Sequence, residues 1–325
     1  MTPQEALAWE AEHRQRAGIA GLVATLCTFL GVVLTTVGQP SSSKYDDRIL
    51  TVVDSMGNVA AGRPNPPGRV SAYTVDVGQH PALPITGAVL YGIGSIAIFF
   101  ILAYVFRATR SRRPEMPQLS LILAAVGAVG FGAGRAVAEV ARYIGAAGFV
   151  DAADKSNSAA TDALSPTATL AGQVIWEFCA LLLGVALIMI ALNAMRVGLL
   201  TRFMGVLGII VGVTVAPVLP LDQQGIIRIF WLGALSFLVL QRWPNVPKAW
   251  LTGEAEPWPT QQQLREQREA ARSEREPRGR DKAPRADRKP PAAPPPTPPR
   301  PRRPDPSAAG EPHSASKKKK RKRRS

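Results

Sequence analysis

The chain has 325 residues and a formal net charge of +15, and its apolar and charged residues are concentrated in different parts. Large apolar side chains form six blocks before residue 242, whereas the segment from Leu251 onward holds 21 Lys and Arg against 10 Asp and Glu, or +11 of the net charge. Length alone would allow two or three soluble domains, but this division excludes an ordinary soluble protein.

The six apolar blocks are predicted to be membrane-spanning helices, because a bilayer core needs about 20 apolar residues per helix. They cover residues 18–38, 85–106, 118–143, 171–193, 203–220 and 225–241. Blocks five and six are short, and Pro217 and Pro220 favour a tight hairpin between them, so five or seven spans remain alternatives. The first block ends in "TTVGQP" without a small-x-small cleavage site, which favours a retained helix over a signal peptide.

The sequence therefore predicts an all-α integral membrane protein with about six transmembrane helices in a bundle. Its divisions are a short cytoplasmic N-terminus (1–17), a six-helix transmembrane domain (18–241), and an interfacial segment followed by a disordered basic tail (242–325).

The placement of Lys and Arg predicts the orientation, because cytoplasmic loops are enriched in these residues. Alternate segments carry the excess: Arg14 and Arg16, then Arg107, Arg110, Arg112 and Arg113, then Arg196 and Arg202, then Arg242 and Lys248. The segments between them carry fewer cations, which are offset by Asp residues. Both termini are therefore predicted to be cytoplasmic.

Two outer loops separate these blocks. In the first, "DDRILTVVDSMG" has apolar residues at helical spacing and predicts a short surface helix, while "RVSAYTVDVG" alternates in the manner of a strand. The second, residues 151–170, is small and polar and is expected to be irregular. Glycine pairs such as Gly130 and Gly134 favour close helix packing within one chain.

Ionisable and polar side chains inside the blocks form the candidate site, because a charge in a membrane is costly. Six of them are predicted to converge toward the outer ends of spans three, four and six: Arg135, Glu139, Arg142, Gln173, Glu177 and Arg228. We expect Glu177 to pair with Arg135 or Arg228 across helices, and Glu139 to pair locally with Arg135 or Arg142. Ion pairs that tie spans together and a ligand or ion pathway are both open interpretations.

Residues 201–220, "TRFMGVLGIIVGVTVAPVLP", and 230–259, "FWLGALSFLVLQRWPNVPKAWLTGEAEPWP", carry a family resemblance. They resemble a group of uncharacterised multi-pass membrane proteins from high-GC Gram-positive (actinobacterial) bacteria. The resemblance covers about 60 residues and brings no known activity or site residues. It implies a bacterial cytoplasmic (inner) membrane.

The C-terminal segment is predicted to begin at the membrane surface and then become disordered. Trp243, Trp250 and Trp258 suit the headgroup level, and the Pro-rich stretch after them should be extended. Eight consecutive cations end the chain: Lys317, Lys318, Lys319, Lys320, Arg321, Lys322, Arg323 and Arg324. Anionic phospholipid headgroups are their expected partner. Nucleic acid, acidic proteins or solvent alone are the alternatives.

Two functions from different classes follow. The first is a non-enzymatic bundle that anchors or organises something through its basic tail, with membrane lipids as its partners. The alternative is a small transporter or channel that uses the charge cluster.

An intramembrane enzyme is a weaker hypothesis, because the chain has no GxGxxG after a strand and no GxxxxGK[ST], HExxH, GxSxG or CxxC motif. Cys27 and Cys179 lie in apolar blocks and the three His are far apart, so we predict neither a metal nor a cofactor.

Overall fold

The computed structural model describes residues 2–41, 56–58, 60–62, 68–216, 225–258, 263, 265–266 and 268–271. The chain divides into two compact units, Met1–Thr260 and Gln261–Ser325. All regular structure in the described part of the first unit is helical: α1 (Pro3–Val37), α2 (Arg69–Gln79), α3 (Ala82–Arg112), α4 (Leu119–Val150), α5 (Asn157–Leu164), α6 (Thr167–Arg196), α7 (Arg202–Val215), α8 (Ile226–Val239) and α9 (Ala249–Thr252). The described residues of the second unit, between 263 and 271, are also helical.

Within the described ranges, four helices are long and apolar enough to cross a membrane: α1, α3, α4 and α6. The fifth and sixth predicted blocks correspond to α7 and α8, which are apolar but have 14 residues each. At 1.5 Å per residue each is about 21 Å long, less than the roughly 30 Å of a bilayer core. An all-helical protein with membrane-length helices is thus confirmed, and six complete spans stay a prediction. Residues 217–220, the end of the fifth block, lie outside the described residues.

The long helices extend beyond the predicted blocks because polar caps and further packing continue them. α1 begins at Pro3 rather than at residue 18, and a capping box joins the Thr2 side chain to the Glu5 backbone N–H and the Glu5 side chain to the Thr2 backbone N–H. α4 continues past residue 143 to Val150. Its last turns are covered by α2, where a Cβ on Gly78 would lie only 2.2 Å from the carbonyl oxygen of Ala146.

Two loop predictions are wrong. The alternating stretch at 69–78 is helix α2, not a strand, because Ser71, Thr74 and Gly78 form a helical face that is buried. The second loop is not wholly irregular, since it contains α5, whose first turn is capped by Ser156 accepting a hydrogen bond from the Ala159 N–H at 3.2 Å. The helix predicted from "DDRILTVVDSMG" lies mostly outside the described residues.

Glycines bring the long helices into close contact, as the sequence predicted. A Cβ on Gly172 of α6 would lie 2.7 Å from the Gly134 carbonyl oxygen of α4, and one on Gly184 would lie 2.5 Å from the Gly212 carbonyl oxygen of α7. Because lipid supplies no hydrophobic drive between helices, such close approach provides the packing energy of the bundle.

The segment after α8 packs against the bundle through its tryptophans. Trp250 is 3% exposed and donates its indole N–H to the Leu199 carbonyl at 2.8 Å. Trp258 donates in the same way to the Leu200 carbonyl at 2.8 Å. The turn after α6 offers buried carbonyl oxygens that need a donor, and these two indole N–H groups supply it. The interfacial location of this segment stays a prediction.

Candidate functional site

Two arginines from different helices stack on one tyrosine inside the bundle. The guanidinium of Arg135 on α4 lies 5.5 Å from the ring centre of Tyr91 on α3, and that of Arg228 on α8 lies 5.4 Å from it. Arg228 also donates a hydrogen bond to the Tyr91 hydroxyl at 2.6 Å. We call Tyr91, Phe131, Arg135, Glu139, Trp176 and Arg228 the cation–aromatic cluster.

Further rings complete the cluster around these cations. Arg135 lies 4.8 Å from the Trp176 ring on α6, and Arg228 lies 5.2 Å from the Phe131 ring on α4. The ring face carries negative electrostatic potential, and the attraction to a cation is largest where water is excluded. Arg228 is 4% exposed, so its interactions with the rings are little screened.

The cluster contains one carboxylate for its two cations. Arg135 forms the predicted local ion pair with Glu139, with the nitrogen and oxygen 3.3 Å apart. The other carboxylate oxygen of Glu139 and the indole nitrogen of Trp176 are buried and have no hydrogen-bond partner among the described residues. The cluster therefore contains one buried donor and one buried acceptor without a hydrogen-bond partner in the described part of the chain.

The predicted pairing of Glu177 with Arg135 or Arg228 is wrong. Glu177 and Gln173 are exposed on the outside of α6, while Ala180 and Gly184 on the same helix are buried. No ion pair joins Glu177 to a described residue.

Arg142 is half-buried on α4 and forms no ion pair with a described residue. Arg135 falls at the midpoint of the 32-residue helix α4, rather than at the end of a span. The structure thus brings together Arg135, Glu139 and Arg228 of the six predicted residues, and it leaves Arg142, Gln173 and Glu177 outside the cluster. Tyr91, Phe131 and Trp176 were not predicted, because aromatic residues in an apolar block read only as hydrophobic.

A second buried ion pair lies where α1 begins and α3 ends. The Arg112 guanidinium donates to both carboxylate oxygens of Glu10. The Arg112 side chain is 0% exposed and the Glu10 side chain is 4% exposed. Arg112 also donates to the carbonyl oxygens of Ala108 at 2.8 Å and Ala249 at 2.6 Å. The signal that could have located this pair is the continuation of α1 ahead of the first apolar block.

Other polar contacts join the same end of the bundle, which we call the basic end: the start of α1, the end of α3, the start of α4 and the end of α6. Arg113 donates to the Asn193 side chain at 3.0 Å, and Arg14 donates to the Gln241 side chain. The segments that were predicted to share one side of the membrane therefore do meet at one end of the bundle. Which side of a membrane that end faces remains a prediction.

The eight terminal cations lie outside the described residues. Among residues that the structure does describe, no group of three or more His, Cys, Asp or Glu could hold a metal ion. The class that the fold defines is an all-helical protein with apolar helices long enough for membrane insertion. Comparison with protein-family models, curated proteins and solved structures finds no match.

Proposed function

We propose that this chain is a non-enzymatic protein of a bacterial cytoplasmic membrane, as the resemblance to actinobacterial proteins suggests, with both termini cytoplasmic. Its bundle serves as an anchor for the basic C-terminal segment. The observation that carries this proposal is that the intramembrane cations contact rings, a carboxylate and a hydroxyl of the same bundle. These contacts join α3, α4, α6 and α8 to one another, which suits a bundle that serves as an anchor.

The terminal cations supply the attachment. The eight residues from Lys317 to Arg324 form the strongest concentration of charge in the chain. Each cation near an anionic membrane surface contributes about 1 kcal/mol of binding free energy. Attraction of this kind depends on charge and falls with salt, because exposed charges are screened over about 8 Å at physiological ionic strength.

The full-length chain in neutral nanodiscs tests this role. It should capture vesicles that contain phosphatidylglycerol and leave phosphatidylcholine vesicles free. Replacing Lys317–Arg324 with glutamines should abolish capture, whereas scrambling the order of the eight residues, as the matched control, should leave it unchanged. Capture that resists high salt or depends on the order would contradict a purely electrostatic anchor.

Orientation is tested by cysteine labelling from outside intact cells, in a background without Cys27 and Cys179. We expect probes at Asn58 and Asn157 to react, and probes at Glu115 and Ser273 to react only after the membrane is opened. Outside labelling of Glu115 would place the basic end on the outer side and overturn the proposed topology.

The alternative function, a small transporter or channel, has one observation in its favour. The Trp176 indole N–H, which has no described partner, and the neighbouring Arg135 guanidinium would both suit a small anion. In proteoliposomes this alternative predicts a chloride or nitrate flux that Arg228→Leu removes. The anchor hypothesis predicts no flux from the unmodified chain or from Arg228→Leu, so the two hypotheses predict different results for the unmodified chain.

A further inference from the structure

A groove at the basic end combines an apolar floor with a cationic rim. It has a volume of about 570 Å³ and lies between α1, α3 and the start of α4, a size typical of small-molecule sites. Ala17, Ala20, Phe100, Ala103 and Leu121 contribute apolar surface, and the described residues that line the groove include no carboxylate.

Three arginines form the rim: Arg16, Arg107 and Arg110. No described carboxylate forms an ion pair with any of them. The partners that they do have are neutral. Arg107 lies 4.6 Å from the Trp9 ring, and Arg110 lies 6.0 Å from the Phe106 ring. With the Gln118 amide in the swapped orientation that its surroundings favour, Arg110 also donates to the Gln118 oxygen at 2.8 Å.

The three positive charges are therefore uncompensated beside an apolar groove on helices of membrane length. A ligand that complements both the arginine rim and the apolar floor has an acidic headgroup and a hydrocarbon chain. Trp9, which also lines the groove, has the amphipathic ring that is favoured at the level of lipid headgroups. Basic pockets between transmembrane helices bind acidic lipid headgroups for the same reason.

We propose that this groove is a binding site for an anionic glycerophospholipid. The phosphate lies among Arg16, Arg107 and Arg110, and one acyl chain runs along Ala103, Phe100 and Leu121. This proposal does not depend on the role proposed for the C-terminal cations.

The test uses the full-length chain in neutral detergent, with Lys317–Arg324 replaced by glutamine to remove binding by the tail. Phosphatidylglycerol and phosphatidylcholine are titrated, and retained lipid is counted by native mass spectrometry. We expect one saturable phosphatidylglycerol and no comparable phosphatidylcholine. Glycerol phosphate, which has the headgroup chemistry without the chains, should not compete, and competition by it would indicate a free-phosphate site instead.

Two matched pairs of variants locate the site. Removing the rim with R16Q/R107Q/R110Q should weaken phosphatidylglycerol binding about 100-fold, since each cation at an anionic headgroup contributes about fivefold. R196Q/R242Q/K248Q removes three exposed cations from the same end and should change binding less than threefold.

The apolar floor is tested without a change of charge. Ala103 lines the groove and Ala133 is exposed on α4. Ala103→Phe should fill the groove and prevent saturable binding, while Ala133→Phe should preserve it. Equal losses from the two triple variants, or unchanged binding in Ala103→Phe, would overturn the proposal.

Discussion

Replacing Glu10 with alanine should strongly destabilise the bundle, although Glu10 lies outside every apolar block. Its carboxylate is bound by Arg112, and both side chains are almost fully buried. Removing one partner of a buried ion pair leaves the other charge uncompensated, which costs about 3–5 kcal/mol. A Coulomb estimate agrees, since charges about 4 Å apart at an effective dielectric constant of about 20 attract by about 4 kcal/mol.

The expected loss lies near the lower end of this range. Without Glu10, Arg112 keeps its hydrogen bonds to the carbonyl oxygens of Ala108 and Ala249, and its guanidinium stays 5.8 Å from the Trp250 ring. These contacts stabilise the cation in part. We therefore expect Glu10→Ala to lower the free energy of unfolding by about 3 kcal/mol.

The assay is equilibrium unfolding of the full-length chain in mixed micelles, followed by tryptophan fluorescence. Glu12→Ala is the matched control, because the Glu12 side chain is 73% exposed and its loss should change stability by less than about 0.5 kcal/mol. The double variant Glu10→Leu/Arg112→Leu should be less destabilised than the two single leucine variants combined. Equal, small effects of Glu10→Ala and Glu12→Ala would refute the buried-pair reasoning.

Five further substitutions test other parts of the packing. In the same assay Glu177→Ala should be nearly neutral because the side chain is exposed, whereas Arg135→Ala, which leaves a carboxylate without its partner, should cost about 1–3 kcal/mol after allowing for its partial exposure. Gly172→Ala should destabilise by about 1–3 kcal/mol, since its Cβ would meet backbone atoms at 2.7 Å, while Gly148→Ala, with open space around it, should be neutral or slightly stabilising. Trp250→Phe removes one buried hydrogen bond and should cost about 1–2 kcal/mol; a loss smaller than that of Glu177→Ala would contradict its buried role.

The long helices were predictable from the long apolar runs of the sequence. A chain inside hydrocarbon must satisfy its backbone hydrogen bonds internally, so long apolar runs become helices. The Arg135–Glu139 pair was equally predictable, since residues four apart on one helix are neighbours whatever surrounds them. The strand predicted at 69–78 failed because packing of Gly78 against α4 decides that segment, and local alternation carries no information about that contact.

The partners of the charged residues depend on how each helix is rotated about its axis. The polarity of Glu177 predicted that this side chain faces inward. The face of α6 that packs against α4 is instead the one that contains Gly172, because only a glycine allows such a close approach. The same rotation leaves Glu177 outside. Arg228 donates a hydrogen bond to Tyr91, which is 137 residues away in the chain. Sequence spacing within a helix cannot predict a contact between residues so far apart. Small residues were therefore a better guide to the interior of this bundle than charges were.

The basic end joins the groove to the segment that precedes the C-terminal cations. The Tyr104 ring stacks on Trp9, which lines the groove, and on Trp250, with ring centres 5.5 and 5.9 Å apart. Arg112 links the same layer to α1 through Glu10 and to α9 through the Ala249 carbonyl. Since these rings and charges form one contiguous packed layer, a lipid that orders Trp9 should also stabilise the position of Trp250. We therefore expect phosphatidylglycerol in the groove to slow hydrogen exchange in residues 249–258, and to have no such effect in R16Q/R107Q/R110Q. Unchanged hydrogen exchange despite bound lipid would show that the groove and residues 249–258 are energetically independent.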